Sequence, residues 1–128
     1  MKRALVLVVM AAFLVSAVSV FADYNKEATV KAMRENGAGL GKAKTAAGTG
    51  DYFAAADGLM TIAKNAVMLS AMDPPKGAKA EWEADQKELA KAAFKGIGAC
   101  AVDNKAGLDA ALIDVAAAQK KGHGAFRG

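Results

Sequence analysis

Two consecutive prolines, Pro74 and Pro75 within Asp73-Pro74-Pro75-Lys76-Gly77, interrupt a chain whose other signals are almost all helical. A proline ring lacks the N–H a helix needs and clashes with the preceding turn, so this segment must be a loop. Neither side of it shows the alternation of β-branched residues that marks a strand. Ala, Leu, Lys, Met and Glu dominate instead, and these favour helix. Two lesser breaks, Ala46-Ala47-Gly48-Thr49-Gly50 and Asp103-Asn104, divide each half again. Four segments result: about Tyr24 to Thr45, Asp51 (a good N-cap) to about Met72, about Lys79 to Ala101, and the stretch from Asp103-Asn104 to Phe126. At about 20 residues each, they make roughly 30 Å of helix. Equal lengths, two short turns and one longer central loop predict an all-α fold, an antiparallel up-down-up-down four-helix bundle over residues 23–128.

The first 22 residues read differently. Lys2 and Arg3 precede an apolar run from Ala4 to about Val20, and Val20-Phe21-Ala22 supplies a small-x-small cleavage pattern. This predicts a cleaved signal peptide at residues 1–22 and a periplasmic or secreted product. The alternative, a membrane span, is disfavoured because the run is barely long enough and turns polar at once with Asp23-Tyr24-Asn25-Lys26. No stable membrane insertion is expected after cleavage. Without Lys2 and Arg3 the 17 basic residues fall to 15, against 13 acidic ones. So mild and scattered a positive charge is a poor signature for nucleic-acid binding. The single cysteine, Cys100, permits no intrachain disulfide and reads as a small buried hydrophobe.

Apolar spacing gives each helix an inward face. The second segment offers Phe53, Ala56, Met60, Ala63 and Val67, with Leu59, Ile62, Ala66 and Leu69 beside them. The third offers Trp82, Leu89, Ala93, Ile97 and Cys100, and the fourth Leu108, Leu112, Val115, Gln119, Gly122 and Phe126. In the first, the expected inward line is Val30, Met33, Gly37, Leu40 and Gly41, which is too small to fill a core well. Gly37, Gly39 and Gly41 each cost about 1 kcal/mol against Ala in a helix interior. Gly122 and Gly124 loosen the far end of the fourth helix in the same way. Small residues at one end of facing helices leave a void, a close helix contact or a slot for a flat ligand.

The C-terminal stretch Gln119-Lys120-Lys121-Gly122-His123-Gly124-Ala125-Phe126-Arg127 holds the one histidine of the chain. It resembles the end of the fourth helix in the cytochrome c-prime and cytochrome b-562 superfamily, whose c-prime members carry Cys-x-x-Cys-His, two residues, an aromatic and Arg. The resemblance extends to the Gly-rich first helix, to Gly50 through Ala56, to the Pro-Pro loop and to Trp82 after it. It implies that His123 is an axial ligand of haem iron, with Phe126 and Arg127 beside the cofactor. The two attachment cysteines are replaced by Gln119 and Gly122, which cannot form thioethers to porphyrin vinyl groups. Covalent haem c is therefore excluded. The b-562 branch holds its haem without covalent bonds, between a methionine of the first helix and a histidine of the fourth. On that pattern Met33, the single methionine of the first helix, is the second ligand of a non-covalent haem b.

The resemblance thus implies a periplasmic one-electron carrier with a periplasmic redox protein as partner, compatible with a homodimer. If Met33 is not a ligand, five-coordinate iron would instead bind a small gas. A different reading keeps the bundle and drops the haem, leaving a structural or interaction module. A third, a metal-handling bundle, lacks ligands, because one histidine without a Glu-x-x-His pattern is too few. Considered alone, His123 could simply complement a helix C-terminus. Met33, Phe126 and Trp82 could be core residues, and Lys120, Lys121 and Arg127 ordinary capping charges. No nucleophile–base pair or phosphate-cradling loop suggests an enzyme.

Overall fold

Local chemistry sets the helix ends in the computed structural model, which describes residues 24–126. Four helices form: α1 (Lys26–Thr49), α2 (Tyr52–Ser70), α3 (Lys79–Ala101) and α4 (Lys105–Phe126). The carboxamide of Asn25 accepts from the Ala28 N–H to start α1, and the Asp51 carboxylate does the same for Ala54 in α2. Between them Gly50, at φ 74°, takes the left-handed conformation that ends α1 and returns its N–H to the Ala47 carbonyl. Asn104 caps α4 by accepting from the Gly107 N–H. At the start of α3, Ala78 offers no side-chain cap. Among the described residues there is no strand. The expected signal peptide at residues 1–22 lies outside the described residues.

Each of α2, α3 and α4 packs closely against the helix before it in sequence, whereas the α1–α4 seam is by far the sparsest contact. One reason for the tight α1–α2 contact is glycine. A Cβ on Gly39 would stand 2.7 Å from the Gly58 carbonyl oxygen, and one on Gly58 would stand 2.5 Å from that of Gly39. The two backbones approach as only paired glycines allow. Lys42 and Asp57 form an ion pair across the same contact. The main core joins all four helices, through Leu40 and Ala43 of α1 and Leu59, Ile62, Leu89, Ala93, Leu108, Leu112 and Val115 of the other three. A second cluster at the loop end joins Ala32, Leu69, Trp82 and Phe126.

Two expected faces are turned from their places. On α2, Phe53, Met60 and Val67 are exposed (93%, 50% and 54%), whereas Ala63 and the residues expected beside that line, Leu59, Ile62, Ala66 and Leu69, are buried together with Ala55. That helix is apolar nearly all round, so periodicity could not choose its face. The choice is made by Gly58 meeting Gly39 and by Asn65 meeting Asn36. On α1 the buried positions are Thr29, Ala32, Asn36, Gly39, Leu40, Ala43, Ala46 and Ala47, one residue off the expected line except at Leu40. Val30, Gly37 and Gly41 are exposed and Met33 is half-buried. On α3 and α4 the expected faces turn inward, with Ile97, Gln119 and Gly122 half-buried and the rest buried.

Candidate functional site

The sparse α1–α4 seam, at the end nearer the Pro-Pro loop, holds two adjoining cavities. The inner one, of ≈ 50 Å³, is lined from α1 by Met33, Asn36 and Gly37 and from α4 by Gln119, Gly122 and His123. Trp82 and Gln86 of α3 form part of its wall. The outer one, of ≈ 550 Å³, is lined by Tyr24, Lys26, Thr29, Val30, Met33, Pro75, His123 and Phe126. Its volume lies within the range of about 300–1,000 Å³ typical of small-molecule sites. Met33 and His123 line both.

Packing explains why these side chains gather here. Trp82 is fully buried and donates its indole N–H to the Leu69 carbonyl at 2.7 Å, which locks α3 against the end of α2. Phe126 meets the Trp82 ring edge-on, with centroids 5.2 Å apart. The loop closes over it, since a Cβ on Gly77 would lie 3.4 Å from the Phe126 ring. Lys121 ties α4 to α3 through Asp85 at 3.1 Å and Glu88 at 3.3 Å. Hydrogen bonds to those two carboxylates raise the pKa of the Lys121 ammonium above its ordinary value. His123, two residues on, is exposed at the seam.

Four polar side chains buried at this end of the bundle were not legible as site residues. Asn65 of α2 donates to Asn36 Oδ1 at 3.1 Å and to Glu35 Oε2 at 3.0 Å. Gln119 bridges α4 to α1 by donating to the Asn36 carbonyl at 3.3 Å. Thr29 and Gln86 are only 2% and 6% exposed, yet Thr29 Oγ1 and Gln86 Oε1 have no hydrogen-bond partner. A buried unpaired polar atom costs about 1–3 kcal/mol, and such atoms in native proteins call for a reason. Gln86 lines the inner cavity and Thr29 the outer one. Gln86 alone carried a usable signal: it stands four residues after Trp82 and three before Leu89, a core position for a polar residue.

The structure brings together three of the four expected site residues. Met33 is half-buried, His123 is exposed and Phe126 is 1% exposed, all against the outer cavity. Arg127 lies outside the described residues. The glycines divide by role. Gly39 makes the close helix contact, whereas Gly37 and Gly122 border the inner cavity and have no atom within 4 Å of a Cβ placed on either. Cys100 is buried well away from the seam, and desolvation pushes its thiol pKa up. Among the described residues, no group of three or more His, Cys, Asp or Glu side chains could hold a metal ion. No described helix is long and apolar enough to cross a membrane.

No family model, curated protein or solved structure matches the chain.

Proposed function

We propose that the α1–α4 cleft binds haem b non-covalently, with His123 and Met33 as axial ligands, and that the protein carries single electrons in the periplasm. The observation that carries this reading is the convergence of Met33 and His123. They come from opposite ends of the chain, on two helices, and line the same two cavities. The finer topology belongs to the same proposal. Turns as short as those after α1 and α3 support an antiparallel up-down-up-down path, which would bring the start of α1 beside the end of α4.

The residues present fit the group. The donor set is one thioether and one imidazole, which suit haem iron. Two buried polar atoms lack partners at the cavity walls, and Gly37 and Gly122 leave the flanks of the inner cavity open. When bound, the haem supplies a one-electron couple whose potential the Met/His pair raises. The chain's own work is retention and insulation. With Gln119 and Gly122 in place of thiols, coordination and packing must hold the ligand. Phe126, Val30 and Pro75 supply apolar surface, and the bond from Gln119 to the Asn36 carbonyl keeps α4 in register with α1.

A haem-free interaction bundle is the second reading. Its specific support is the Trp82–Phe126 pair, which closes the end of the core with only ≈ 50 Å³ left inside. An equilibrium titration with hemin separates the two. Saturation at one hemin per chain, with affinity falling at least tenfold in His123→Ala, is expected of the carrier. Weak binding without stoichiometry, equal in both proteins, would leave the haem-free reading.

A further inference from the structure

Apart from the His123 imidazole of α4, the polar wall of the outer cavity belongs to the first turn of α1 and the residue before it. Lys26, Thr29 and the preceding Tyr24 stand there, while Val30, Met33, Pro75 and Phe126 supply the apolar remainder. None of the lining residues is acidic. Glu27, the one acidic residue of that turn, is not among them. The N-terminal end of a helix adds partial positive charge. A helix N-terminus alone would signify little, but Thr29 adds an independent sign. A threonine in a helix commonly gives its hydroxyl to the carbonyl four residues back. Here the Asn25 carbonyl takes the Thr29 backbone N–H at 3.0 Å, and Oγ1 has no partner although the residue is 2% exposed.

We infer that this rim is a carboxylate seat: Thr29 Oγ1 and the Lys26 ammonium receive an acid arm of the bound ligand, while its flat apolar body lies against Val30, Met33, Pro75 and Phe126. The identity of that ligand as a porphyrin rests on the haem reading above; the seat itself rests on the orphaned hydroxyl and the charge of the rim. One hydroxyl donor and one ammonium match the two oxygens of a carboxylate. Charge-assisted bonds of this kind are the stronger class. The seat also orients the ligand, because an acid arm held at the α1 end turns the rest of a flat molecule toward His123.

Metal-free protoporphyrin IX and its dimethyl ester separate this seat from iron ligation, since neither can coordinate through a metal. Fluorescence titration of the full protein should show the free acid binding about tenfold or more tightly than the diester, a ratio set by one charge-assisted contact. Thr29→Val, which keeps the shape and deletes the unpaired hydroxyl, should lower that ratio several-fold without lowering thermal stability. Thr29→Val combined with Lys26→Gln should bring the ratio close to one. Equal binding of acid and diester by the unaltered protein, no binding of either, or a preference that survives both substitutions overturns the inference. Hemin ligation by His123 without any acid preference would remove the seat and keep the axial ligands. An acid preference without iron ligation would do the reverse.

Discussion

Gly39 and Gly58 illustrate how a single hydrogen atom at Cα decides what a helix can approach. Gly39→Ala would drive a methyl to 2.7 Å from a carbonyl oxygen. Helix propensity alone predicts a gain of about 1 kcal/mol for the change, but overpacking of this kind costs about 1–3 kcal/mol. The clash dominates, so urea denaturation should show a net loss. Gly41→Ala meets no atom within 4 Å and should stabilise by about 1 kcal/mol on propensity alone. Equal effects at the two positions would refute the close contact. Glycine spacing in the sequence could raise a void, a contact and a ligand slot as alternatives but could not assign them. The assignment depends on which glycine faces another helix. Cys100 was more legible, because a lone cysteine among Ala and Ile reads as core. Burial disfavours its thiolate, so its folded pKa is raised. A raised acid pKa means that its contribution to stability is intact below the unfolded thiol pKa and is lost as pH rises through the folded value. Disulfide-exchange reagents near neutral pH should therefore label Cys100 only as fast as the protein opens.

At the scale of elements, breaks were easier to read than faces. Gly50 and the caps at Asp51 and Asn104 lie at helix ends, and the two prolines in the loop between Ser70 and Lys79, because each acts on its own turn of backbone, a local effect that a sequence displays openly. The rotation of a helix about its axis is not local. On α2 the apolar residues outnumber the positions that one face can bury, so Phe53, Met60 and Val67 fit the pattern as well as Leu59 and Ile62 do. Contacts with α1 break the tie. The same contacts turn α1 so that Met33 reaches the seam without being sealed into the core. The exposed start of α3 offers a direct check on cap energetics. Ala78 already has the extended backbone of an N-cap, at φ −78° and ψ 135°, but has no side-chain acceptor. Ala78→Ser should raise stability by about 1 kcal/mol, measured as a shift in the denaturation midpoint with an unchanged slope.

Across the whole molecule, one asymmetry connects the fold with the proposed site. Three helix pairs close tightly and the fourth, α1 with α4, does not. That seam carries the ≈ 550 Å³ cavity, the lone histidine, the half-buried methionine and the orphaned Thr29 hydroxyl. The resemblance named His123, Met33 and Phe126 together, and all three line this cavity. Thr29, Asn36 and Asn65 were not legible, because polar residues within helices look like surface until the packing is known; Gln86 was signalled only by its spacing from Trp82 and Leu89. A ligand held in the seam would tie α1 to α4, and binding to the folded state alone adds about 2.7 kcal/mol at a free concentration one hundred times Kd. Thermal unfolding with excess hemin should therefore shift upward, and the shift should be smaller in His123→Ala. The most direct measurement of the central claim is the optical spectrum of the hemin-loaded protein beside those of Met33→Ala and His123→Ala. Low-spin iron in the unaltered protein, high-spin iron in Met33→Ala and no stoichiometric complex in His123→Ala are the results expected. A spectrum that stays the same through both substitutions would contradict axial ligation by these residues.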